Sequence, residues 1–167
     1  MTVPIWRVAV AWAIPLVMTG CGMIFGLPFT AGSYVADVPC TIRVADATGT
    51  TVGEDEFSAP TTLTIDADGA LSVNGVELVV GRQVVRSIPT ADLAFEITKV
   101  TRRCRTLTVE YIPRPTLVGI LVEGRLVETY RWRNDSIRAS AEADLVVTDV
   151  SGETTFTVNC AGVLSAG

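Results

Sequence analysis

Along residues 137–147 apolar and polar side chains alternate. Ile137, Ala139, Ala141, Ala143, Leu145 and Val147 fall on one parity; Arg138, Ser140, Glu142 and Asp144 fall on the other. A period of two belongs to a strand with one face buried, not to a helix. The stretch before it behaves alike, with Val118, Ile120, Val122, Gly124, Leu126, Tyr130 and Trp132 on one face. Asn134-Asp135 lies between the two runs. Both residues tolerate positive φ, as a two-residue primed hairpin turn requires.

That turn predicts a register. Trp132 faces Ile137, Tyr130 faces Ala139, Leu126 faces Ala143, Gly124 faces Leu145 and Val122 faces Val147. Every such pair is apolar, and a slip of one residue would turn each of them to the wrong face. On the other face Arg125 meets Asp144, and Arg131 meets Arg138.

Further hairpins follow from turn chemistry. Asp66-Ala67-Asp68-Gly69 joins TTLTI to LSVNG, with Gly69 suited to the left-handed position. Ser151-Gly152 joins the 137–147 strand to residues 154–163. Leu107, Val109 and Tyr111 share a face in a strand over 105–112 that ends at Pro113 and Pro115. Residues 90–100 fit either period, since Leu93, Ile97 and Val100 also suit a helix; Thr98, Val100 and Thr101 favour strand. Residues 49–60, with Glu54-Asp55-Glu56, read as the longest polar loop. The expected fold is all-β: an antiparallel meander of eight to nine strands, closed as a barrel or stacked as a sandwich.

The front of the chain has a different character. One charged side chain, Arg7, precedes a ten-residue apolar run, VAVAWAIPLV, and small residues lead to Cys21. This is the layout of a secretory signal. Residues 17–21, VMTGC, resemble the lipobox of bacterial lipoproteins. The resemblance implies that the leader is cut before Cys21 and that Cys21 is acylated. It also places the protein in the bacterial envelope, held to membrane lipid, with its body outside the cytoplasm. A second arrangement stays open. Residues 8–29 carry no charge over 22 positions, long enough to cross about 30 Å of hydrocarbon as an uncleaved anchor. The lipoprotein reading divides the chain into a signal peptide (1–20), a lipidated tether (21–38) and a β domain (39–167).

Composition then narrows the chemistry. A net charge of −5 gives no cationic surface for nucleic acid. The chain has no histidine, which removes Ser-His-Asp and Cys-His nucleophile activation and histidine metal sites. No cofactor or metal site is suggested. With Cys21 lipidated, Cys40, Cys104 and Cys160 remain in an oxidising compartment. Cys40 shares a face with Ile42 and Val44, and Cys160 with Phe156 and Val158, whereas Cys104 aligns with Thr106 and Thr108. First and last strands become neighbours when a meander closes, so Cys40–Cys160 is the preferred bridge, with Cys104–Cys160 the alternative.

Glu128 breaks an otherwise apolar face. It sits in line with Leu126, Tyr130 and Trp132, and an enclosed carboxylate must be paired, neutralised or wet. Arg105 falls in line with Leu107 and Val109. A Glu128–Arg105 pair with Tyr130 and Trp132 in an interior cavity is therefore the candidate ligand site. The alternatives are a structural ion pair and a strand end in solvent. No catalytic residue is assigned. The body is similar in architecture to small lipocalin-like lipoproteins, which implies a non-enzymatic domain that binds a small apolar ligand or an envelope protein. A purely structural, membrane-anchored domain is the alternative. A hydrolase working through two carboxylates would need a second acid 5–9 Å from Glu128.

Overall fold

A computed structural model describes residues 30–89, 91–114 and 119–167. The ten strands are β1 (Gly32–Asp46), β2 (Thr51–Ile65), β3 (Leu71–Val73), β4 (Val76–Glu77), β5 (Gln83–Ile88), β6 (Ala91–Arg103), β7 (Thr106–Arg114), β8 (Leu121–Arg133), β9 (Ser136–Asp149) and β10 (Gly152–Ala166). They form one antiparallel sheet in the order β4-β3-β2-β1-β10-β9-β8-β7-β6-β5, curled into a nearly closed barrel. Each strand pairs with its neighbour in sequence except β4 with β5, and β1 pairs with β10. One rung of this ring is missing. No ladder joins β4 to β5, which residues 78–82 connect across a seam.

The β8–β9 register matches the alternation argument. Trp132 pairs with Ile137, Tyr130 with Ala139, Leu126 with Ala143, Gly124 with Leu145 and Val122 with Val147. Arg125 stands opposite Asp144 and Arg131 opposite Arg138. Asn134 takes φ 50°, as the turn demands. The 66–69 hairpin closes through the Gly69 amide, which donates to the Asp66 carbonyl at 2.9 Å, with Gly69 at φ 85°. Residues 91–103 are strand, and Thr98 forms a bulge where the β6–β7 register shifts.

Three expectations need correction. Among the described residues the strand count is ten; β4, at two residues, is too short for a period to register. The polar stretch over 49–60 is not a loop. Most of it belongs to β2, which pairs with β1 along its length, with Arg43 opposite Glu54 and their side chains 3.5 Å apart. The polarity of residues 51–56 reflects mostly exposed positions on both faces, not lack of structure, while Phe57 and Ala59 turn toward the interior. The body also begins earlier than residue 39. β1 starts at Gly32, and Tyr34, Val38, Cys40 and Ile42 are buried in strict alternation. The signal peptide and Cys21 lie outside the described residues.

Inside the barrel, a layer of large side chains fills the space on the β7 side. Leu107, Val109, Tyr111 and Ile97 are wholly buried. Across from them β9 and β10 present small residues inward: Ala139, Ala141, Ala143, Cys160 and Gly162. A Cβ on Gly162 would sit 3.2 Å from Val38, so β10 and β1 already approach closely there. Small residues facing large ones let the strands close, and they also leave room in the interior.

Cys40 and Cys160 are directly opposite on β1 and β10 and form a disulfide, 120 residues apart in sequence. It lies where the two ends of the meander meet. Next to it, Pro39 lacks an amide hydrogen, and the β1–β10 pairing lapses between Val35 and Cys40. The covalent link stands at the point where the ladder resumes. Cys104 occupies the β6–β7 turn at φ 49°, not the polar strand face expected of it.

Candidate functional site: a polar cluster beside the seam cavity

Glu128 does point inward. It is 7% exposed, the single buried charged residue among those described. Its partner is Arg86, not Arg105. Arg86 Nε donates to Glu128 Oε1 at 2.9 Å and Nη2 donates to Oε2 at 3.2 Å, a forked pair. The Tyr111 hydroxyl donates to Oε2 at 2.6 Å and the Tyr130 hydroxyl to the same oxygen at 3.0 Å. Arg86 Nη2 also donates to the Tyr111 oxygen at 3.3 Å, and the guanidinium lies 5.5 Å from the Tyr111 ring centre. Three strands, β5, β7 and β8, thus meet at one carboxylate.

Arg105 sits elsewhere for a geometric reason. It shares parity with Leu107, but β7 starts only at Thr106, and Arg105 belongs to the exposed turn before it. Its backbone carbonyl accepts the Trp132 amide at 2.9 Å. Trp132 is buried, yet it stands apart from the cavity that Glu128 and Tyr130 line. Of the four expected ligand residues, Glu128 and Tyr130 come together. Arg86 and Tyr111 complete the cluster. The signal for Arg86 lay in the sequence. In QVVRSI, Val84, Arg86 and Ile88 share a face, the same apolar-charged-apolar pattern that singled out Glu128.

The electrostatics follow from burial. Both tyrosines hold their protons well above the ordinary phenol range, because burial disfavours the phenolate and the Glu128 charge repels it. Burial by itself works against a charged Arg86. The adjacent Glu128 carboxylate outweighs that, and the guanidinium holds its proton more firmly than a free arginine. At neutral pH the cluster holds one positive and one negative group and carries no net charge.

The cluster borders a cavity of about 110 Å³. The walls come from both sides of the seam: Pro60 and Val73 from β2 and β3, Ile88 and Phe95 from β5 and β6. Leu126, Leu145 and Val158 close the back, and Ala141 and Ala143 make the space. Asn74 guards one rim. With φ 50°, it accepts the Thr62 amide at 2.7 Å through Oδ1 and donates from Nδ2 to the Pro60 carbonyl at 3.1 Å. Its side chain stands in for a strand that β3 is too short to supply. Arg102 reaches from the end of β6 to the Gly69 carbonyl at 3.2 Å, a bond that spans the open side. The arrangement can hold a small molecule against an apolar wall with one polar corner. A guanidinium and two phenols surround Glu128, a set suited to orienting a ligand. Among the described residues no group of acidic or cysteine side chains is placed to hold a metal ion. Compared with protein-family models, with curated proteins and with solved structures, the chain matches none.

Proposed function

We propose that this protein is an envelope-anchored lipoprotein whose barrel binds one small, mainly apolar molecule without transforming it. The observation that carries this reading is the seam cavity. A meander that is otherwise continuous leaves one rung unpaired, and an apolar space with a single polar cluster lies behind that gap. Barrels of this size commonly enclose one small ligand. The Cys40–Cys160 disulfide supports an oxidising compartment. The signal-like leader and Cys21 supply the route there and the attachment to membrane lipid.

Two experiments test the proposal. Extraction of the purified protein with organic solvent, followed by small-molecule mass spectrometry, should yield one stoichiometric compound. Ala141→Leu, which fills the cavity, should lose it. Equal extracts from both proteins would remove the ligand-binding reading. Intact mass of the membrane-extracted chain should show loss of residues 1–20 and added acyl mass. A full-length, unmodified mass would instead establish an uncleaved anchor.

A further inference from the structure

Resting on the small-molecule reading above, we propose that the ligand is an uncharged compound of about six heavy atoms bearing one hydrogen-bond acceptor received by Arg86, and that carboxylates are excluded. The charge balance carries the argument. Glu128 already neutralises Arg86 through a forked pair, and two tyrosines satisfy the same carboxylate. A carboxylate ligand would therefore bring an unmatched negative charge into an apolar space beside Glu128. An unmatched buried charge is strongly unfavourable. A neutral acceptor brings no such cost.

The donor inventory points the same way. Arg86 uses Nε and Nη2 for Glu128 and Tyr111, whereas Nη1 makes no hydrogen bond among the described residues. Arg86 lines the cavity, so its remaining N–H groups serve a carbonyl or hydroxyl oxygen. The oxygens of Glu128 are more fully used: Oε2 accepts from Arg86, Tyr111 and Tyr130. The polar corner thus offers a donor more readily than an acceptor.

Volume sets the size. The cavity measures about 110 Å³, and an apolar cavity of about 150 Å³ takes a benzene ring. A five-membered ring ketone matches this space.

The full chain in lipid nanodiscs is titrated at neutral pH with cyclopentanone and, separately, with cyclopropanecarboxylate, which has the same number of heavy atoms. Nuclear magnetic resonance follows the Arg86 side-chain N–H signals and the amides of Leu126, Ala141 and Ala143. The ketone should shift both sets saturably, and the carboxylate should need at least about tenfold higher concentration. A carboxylate that binds as well as the ketone overturns the charge argument and leaves the ligand site standing. Saturable shifts at the amides with Arg86 unmoved overturn the role of Arg86. If neither probe saturates the cavity amides, both this inference and the small-molecule reading fall.

Discussion

Arg86 on β5 grips both carboxylate oxygens of Glu128 on β8, 42 residues further along the chain. No ladder joins these two strands, which lie three places apart in the sheet. The pair therefore crosses the barrel interior, and it does so beside the seam where backbone pairing is absent. Arg86 keeps 17% of its side chain exposed and Glu128 keeps 9%, so the pair is dry enough to matter and close enough to the cavity to be reached.

Breaking the pair from one side should cost more than removing it whole. Glu128→Leu strands a guanidinium, and Arg86→Met strands a carboxylate. Each single variant should lose roughly 3–5 kcal/mol, and the double variant should recover much of that. Urea denaturation of the four proteins checks it. Additive losses would mean the two side chains act independently.

The tyrosines predict alkaline sensitivity. Tyr111 and Tyr130 titrate higher in the folded protein than in the unfolded chain. The unfolded state releases phenolic protons from about pH 10, while the folded state retains them. Fewer protons on the unfolded chain make the slope of stability against pH negative. Stability from these groups is thus complete below about pH 10 and falls above it, by up to about 2.7 kcal/mol per pH unit for two groups. Denaturation midpoints between pH 9 and 11.5 test this. Tyr130→Phe should halve the slope.

Gly124 should tolerate no side chain. Its φ is 122°, and a Cβ there would lie 2.0 Å from the Asp144 carbonyl oxygen across the β8–β9 ladder. Gly81, with φ 87° and open space around it, serves as the contrast. Gly81→Ala should cost about 1–2 kcal/mol from backbone strain alone. Gly124→Ala should exceed about 3 kcal/mol, because the clash is with backbone that cannot rotate away. Thermal denaturation of the two variants ranks them, and equal losses would sink the steric argument.

The disulfide should contribute heavily because of its span. Its cysteines are 120 residues apart, and the chain-entropy model gives about 5 kcal/mol for a loop of that size. The Cys40→Ser, Cys160→Ser double variant should show the loss in guanidinium denaturation. A loss below about 1 kcal/mol would show that the unfolded chain already keeps β1 near β10.

Much of the fold was legible because strands with one wet face write their register into the sequence. Ile137 to Val147 against Val122 to Trp132 is the clearest case, and the Cys40–Cys160 bridge followed from asking which strands a closed meander makes neighbours. β2 was hidden because residues 51–56 are mostly exposed on both faces, so Glu54 and Asp55 carry no alternation. β4, with two residues, was too short to show any. The site was half legible. Glu128 announced itself as a charge on an apolar face. Its partner was misassigned because parity says which face a residue occupies and nothing about where a strand starts. Arg105 has the right parity one position before β7 begins. Arg86 lies on a six-residue strand whose neighbour across the seam no ladder specifies.

The meeting of β1 with β10 has a consequence for the order of events at birth. Every other rung joins segments made one after the other, and each can zip as it emerges. β1 has to wait for β10, since the Gly167 amide donates to the Ser33 carbonyl at 3.0 Å and Cys160 follows Cys40 by 120 residues. A chain delivered from its N-terminal end therefore exposes an unsealed β1 flank until β10 is made. Closure is then a single clasp, fastened by the Cys40–Cys160 disulfide, and its timing is set by delivery of β10.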